Sequence, residues 1–183
     1  VFPVVRDVPA DAFADLFARA EGVTVSSIDQ AESPAPAGGA VAAEHTLFEA
    51  RSISLSGARR VIDAALARAA ELGCRVSIVV LDAGGNLSAL ARRDGTAATA
   101  TAVALNKANT ALTMRIPTDA FAKSVEGNSV LVASLSNQPG IALFPGGLPL
   151  TSGDAVVGAI GVSGARDGGD LLVARAGAEA LGS

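Results

Sequence analysis

A five-turn helix followed at once by a β-hairpin restricts this chain's fold more than any other feature. From Ser54 onward, Leu55, Ala58, Val61, Ile62, Ala65, Leu66, Ala69 and Leu72 keep one apolar stripe at helical spacing, with a serine to cap the start and Gly73 to stop it. CRVSIVVLD (74–82) is β-branched and nearly all apolar, AGGN (83–86) is turn chemistry, and LSALARR (87–93) alternates. Cys74, the single cysteine, is expected to be a small core residue at the start of that first strand.

Beyond the hairpin, Asp94 to Thr99 can cap a helix whose body, Ala97 to Met114, is built from Ala, Thr, Asn and Leu and ends before Pro117. Such small side chains let a neighbouring backbone or a flat ligand come close. A shorter helical stretch lies around Asp119 to Lys123, and the following SVEGNSVLVASLSNQPG has no clear period. LFPGGLPL, a turn at TSGD and AVVGAIGVSGA read as strand, turn and strand, and GGDLLVARAGAEAL as a last helix with Asp170 at its start. This order favours an α+β fold with one antiparallel sheet over a doubly wound parallel one.

Residues 1–47 read as an N-terminal extension. Phe13, Leu16, Phe17 and Ala20 have the spacing expected of a short amphipathic helix, and DQAESPAPAGGAVAAE (29–44) reads as a linker or mobile loop rich in Pro, Ala and Gly. The compact domain is expected over 48–183. The chain opens on Val1 instead of Met, as after trimming, so the compartment is left open between the cytoplasm and, if a signal peptide was removed, the exterior.

Half of the residues are hydrophobic and 17% are charged, a balance that excludes disorder over most of the chain and leaves a thin polar surface. A homo-oligomer is therefore expected. Net charge is −4 without a basic run, and Trp and Tyr are absent, so neither phosphate-backbone contacts nor base-stacking platforms are expected and nucleic acid is a poor partner. No apolar run approaches the roughly 18 residues of a membrane span. GxSxG, HExxH and Walker patterns are all missing.

One residue stands out against this background. VALNKANTALTMRIPT (103–118) sets Lys107, one of two lysines, within an apolar helix, its neighbours at three and four residues being Val103, Ala104, Thr110 and Ala111. A buried ammonium needs a carboxylate from the protein or from a ligand. Alternatively its stem lies on the core while its head reaches water, Asp82 or Asp94. Pro145, Gly146 and Gly147 can aim successive amides at an anion or form a plain turn. Arg93 can grip a carboxylate with two prongs or pair with Asp94. His45, the sole histidine, adjoins Glu44 at the linker's end.

In order, LSGARRVIDAALARAAELG, VSIVVLDAGGNLSALARRDG, NKANTALTMRIPT, PGGLPL and GDAVVGAIGVSGA resemble the GlcG/HbpS family, which includes the C-terminal domain of PduO-type proteins. The resemblance spans residues 54–182. It implies a profilin-like fold, an antiparallel sheet flanked by helices, in homo-oligomers that reach an octamer. It also implies a haem-linked role and a site drawn from Arg93, Lys107, Thr110, Ala111, Thr113 and Pro145 to Gly147, with His45, Thr110 or Thr113 as haem-iron candidates.

The resemblance leaves three readings open. The chain is a binder of haem, a related tetrapyrrole or another small anionic ligand; or a cofactor-free lyase, isomerase or hydratase with Lys107 as acid/base or carboxylate anchor; or a ligand-free structural or sensory subunit.

Overall fold

The computed structural model describes residues 50–182, so the expected extension over 1–47 and His45 lie outside the described residues. Helix α1 (Leu55–Glu71) starts where the Ser54 hydroxyl accepts a hydrogen bond from the Gly57 amide (3.1 Å), and its stripe of Ala58, Val61, Ile62, Ala65 and Ala69 is buried. Strands β1 (Ser77–Asp82) and β2 (Leu87–Arg92) form the hairpin. Helix α2 (Ala100–Met114) follows, then two helices of eight residues each, α3 (Thr118–Val125) and α4 (Ser129–Ser136). Strands β3 (Gly147–Ser152) and β4 (Ala155–Ser163) and helix α5 (Gly169–Glu179) complete the order.

The four strands make one antiparallel sheet in the order β2-β1-β4-β3. β1 lies inside the sheet with helices on both faces, which explains its unbroken apolar run. Ile78 and Val80 join Val61 of α1 and Val173 of α5 in the larger core cluster. Val79 and Leu81, pointing the other way, join Ala104, Ala108 and Ala111 of α2. The domain is thus three layers, α1 with α5, the sheet, and α2, the mixed α+β architecture expected from the element order.

α2 sits unusually close to the sheet. A Cβ on Gly161 of β4 would stand 2.0 Å from the Ala104 carbonyl oxygen and 2.6 Å from the Ala108 nitrogen, and one on Gly147 of β3 would stand 2.3 Å from the Lys107 oxygen. Helix backbone therefore rests on strand backbone, with glycine on one side and alanine on the other.

Three local details differ from expectation. α2 begins at Ala100, and Thr99 at its N-cap makes no side-chain cap bond, because a tight turn occupies 97–99. Cys74 precedes β1 and is half-buried at the edge of the core, its Sγ 3.6 Å from the Leu72 oxygen. SVLVASLS, which showed no clear period, is α4, and none of its residues is buried; Val130 is 76% exposed. Among the described residues no helix is long and apolar enough to cross a membrane.

Gly161→Ala forces α2 off the sheet and is expected to lower the unfolding free energy by about 2 kcal/mol, in the range for overpacked cores. Urea unfolding checks this, and an unchanged midpoint would show that the layers have slack.

Candidate functional site

Lys107 projects from α2 past the start of β3 and is 1% exposed. Its Nζ donates to Asp170 Oδ2 (2.7 Å) and to the Val162 carbonyl (2.9 Å), and stands 4.7 Å from the centroid of the Phe144 ring. The carboxylate that its burial demands thus comes from the first turn of α5, where the helix N-terminus also favours a negative charge. Asp170 is held in turn by the Ala165 amide, which donates to Oδ1 (2.8 Å). Burial pushes the Lys107 pKa down, while the hydrogen bond and charge of Asp170 push it up.

Gly146 completes this centre. Its φ of 118° suits glycine, and a Cβ there would come within 2.7 Å of the Val162 oxygen and 3.0 Å of Lys107 Nζ. The Gly147 amide donates to the Thr118 hydroxyl (3.0 Å), which itself donates to the Phe144 oxygen (2.9 Å). The Pro145–Gly147 turn therefore closes around the lysine, and its Gly147 N–H already has a partner.

The other residues singled out in the sequence fall in several places. Arg93 donates from Nη1 to the carbonyls of Ala69 (3.0 Å) and Cys74, tying the hairpin to the end of α1. The Thr110 hydroxyl lies 2.8 Å from the Asn106 oxygen, on which it can donate, and accepts from the Ala142 amide (2.8 Å), latching the 137–146 loop to α2. Ala111 is fully buried against the sheet. Thr113 alone of this group lines a cavity.

That cavity, of about 330 Å³, opens between the Ala83–Gly85 turn and the end of α2, and Asn109, Leu112, Arg115 and Val156 complete its wall. A second, of about 800 Å³, shares Ala83, Gly84, Arg115 and Val156 with it and adds Arg51, Ser52, Asp82 and Asp154 among its lining residues. The turn between them is stiff. Asp82 Oδ1 accepts from the amides of Gly84 (2.9 Å) and Asn86 (2.8 Å), and the Asn86 side chain donates to both carboxylate oxygens. Those bonds, the Asn86 side chain's first, hold the Asp82 carboxyl below its ordinary pKa.

Arg115 was not singled out in the sequence. It closes α2 in the left-handed region (φ 57°, ψ 23°), a conformation that costs a non-glycine residue roughly 1 kcal/mol. Among the described residues its side chain forms no hydrogen bond or ion pair. A residue other than Gly or Asn ending a helix two positions before a proline was the available signal. Among the described residues no three His, Cys, Asp or Glu side chains converge on a metal-sized point.

The chain matches the family model described as haem degrading protein HbpS-like over residues 53–179. An uncharacterized 15.0 kDa protein of Citrobacter freundii, from the dhaT-dhaS intergenic region, is 37% identical over 124 residues, 67% of this chain and 87% of that protein. A double mutant of Streptomyces reticuli HbpS, solved by crystallography, has a TM-score of 0.68 at 35% identity and covers 81% of this chain and 100% of its own. The crystal structure of a PduOC:heme complex has a TM-score of 0.65 at 25% identity over 70% of this chain and 94% of that one.

Asp170→Asn leaves the Lys107 ammonium buried without its counter-charge and is expected to lower stability by about 3 kcal/mol. Combining it with Lys107→Met removes the stranded charge and recovers part of the loss. Chemical unfolding of both variants checks this; a single variant within about 0.5 kcal/mol of the parent, the size of an ordinary surface change, would mean that water reaches the pair.

Proposed function

The chain belongs to the HbpS-like family, and from that premise we propose that it is a homo-oligomeric small-ligand-binding protein whose ligand is haem or a related tetrapyrrole. The observation that carries this reading is the pair of adjoining cavities beside the Asp82–Asn86 turn, whose volumes lie in the range of small-molecule sites. Support for the ligand class comes from the family description and from the relative solved as a heme complex.

The residues present fit such a ligand through its face and its carboxylates. Gly84 and Gly85 present no side chain, Leu112 and Val156 offer apolar surface, and Arg115 offers an unneutralised cation. Thr113 brings a hydroxyl to the smaller cavity's wall, a weaker iron ligand than His, Cys or Met. Haem, when bound, supplies the redox chemistry of its iron. The protein's own residues bind and orient the ring and limit access of water.

Lys107 serves this site at a distance. Engaged with Asp170 and Val162, it holds α2, and with it Thr113 and Arg115, in a fixed position against the sheet. The exposed apolar side chains of Val130, Leu131 and Phe144 supply surface for contacts between copies.

Haemin added in stoichiometric amount is expected to sharpen and shift the Soret band, and Thr113→Val to move that band again or weaken binding several-fold. Light scattering is expected to read a mass above that of one chain. Haemin spectra unchanged by the protein would refute the tetrapyrrole assignment, and a monomer would refute the assembly.

A further inference from the structure

The larger cavity is lined by two cations, Arg51 and Arg115, that form no salt bridge with the described residues. Among the described residues the salt bridges are Arg68 with Glu71 and Lys107 with Asp170, and neither involves this cavity. The Arg115 guanidinium has no hydrogen-bond or ion-pair partner among them. Arg51 donates from Nη2 to the Ser152 hydroxyl (2.9 Å) and from Nη1 to the Ser152 carbonyl (3.4 Å), contacts that orient its planar fork and leave its charge unmatched by a carboxylate.

The two arginines arrive independently. Arg51 lies just before α1 and Arg115 ends α2, yet both line the one cavity of about 800 Å³. A cation at a helix C-terminus is favoured by the helix dipole, which by itself accounts for a basic residue near position 115. It does not account for the left-handed backbone, where glycine is the unstrained choice, nor for a second arginine on the same cavity.

Two acidic residues share the wall and narrow the ligand class. Asp82 is occupied by the amides and side chain of its own turn. Asp154, in the β3–β4 turn, is exposed and disfavours negative charge concentrated near it. A dense dianion such as phosphate meets that repulsion, whereas two separated carboxylates place one charge at each arginine.

We propose that Arg51 and Arg115 form a two-point clamp for a ligand that carries two carboxylates. The proposal rests on the reading of this face as the ligand site and adds the groups by which the ligand is recognised. Each guanidinium takes one carboxylate in a charge-assisted pair, Arg51 through the N–H donors that Ser152 leaves free. A tetrapyrrole with two acid side chains satisfies this pattern, and so does a short aliphatic dicarboxylate.

The test titrates the full chain with glutarate, butyrate and inorganic phosphate, followed by calorimetry and by amide NMR shifts at Gly84, Gly85 and Arg115. Glutarate is expected to bind about fivefold or more tightly than butyrate, as two partly exposed charged contacts allow. Arg51→Ala or Arg115→Gly should each abolish that gap, and Asp154→Asn should tighten glutarate. Glycine suits the backbone at 115, so a raised or unchanged melting temperature in Arg115→Gly shows that lost binding is not lost folding. Equal binding of glutarate and butyrate, tighter binding of phosphate, or a gap that survives both arginine variants overturns the clamp.

Haemin and its dimethyl ester separate this proposal from the reading beneath it. If haemin leaves its Soret band unshifted while the glutarate gap holds, the tetrapyrrole assignment falls and the clamp stands. If haemin and its ester bind alike and the glutarate gap is absent, the clamp falls and the tetrapyrrole assignment stands.

Discussion

The contact between the backbone of α2 and the backbones of β3 and β4 governs this structure. Gly147 and Gly161 leave no room for a Cβ, and Ala104, Ala108 and Ala111 face them, so the helix lies as near the sheet as chain geometry allows. At that distance every side chain on the buried face of α2 must be small or must leave the interface lengthwise. Lys107 is the exception in size, and it leaves lengthwise, past Gly146 to the far side of the sheet.

There it meets Asp170 on the helix layer that packs on the opposite face. One ion pair therefore joins both outer layers around the edge strand β3, and Val162 and Phe144 occupy the remaining sides of the ammonium. Removing an ammonium from water is tolerated only with such complete satisfaction. The same pair fixes the axial position of α2, and so decides where its C-terminal residues Thr113 and Arg115 meet the Asp82–Asn86 turn. The ion pair near the middle of α2 and the cavity-lining residues at its C-terminal end belong to one helix.

Much of this was legible in advance. The stripe of α1, the apolar run of β1, the AGGN turn and the strand pair in the last third are local patterns, and periodicity reports them directly. Lys107 was legible as a buried cation in need of a carboxylate, because its helical neighbours are small and apolar. Thr110 and the Pro-Gly-Gly turn were singled out in the sequence, and in the structure Thr110 latches a loop while the turn encloses the lysine. Arg93 donates from Nη1 to two main-chain carbonyls. Arg51 and Arg115 carried no motif, and only their meeting at one cavity draws them together.

By itself the sequence determined most of the elements, α4 excepted, the α+β class and the family, since each depends on residues close along the chain or on the order of short motifs. Only the tertiary structure decided which of the 18 acidic residues neutralises Lys107, because Asp170 lies 63 positions away and nothing local distinguishes it from Asp82 or Asp94. It also decided that the lysine is enclosed by the Pro145–Gly147 turn and lines neither of the two cavities. The physical reason is common to both: burial and long-range pairing are properties of packed layers, and a one-dimensional pattern records the need for a partner without recording its address.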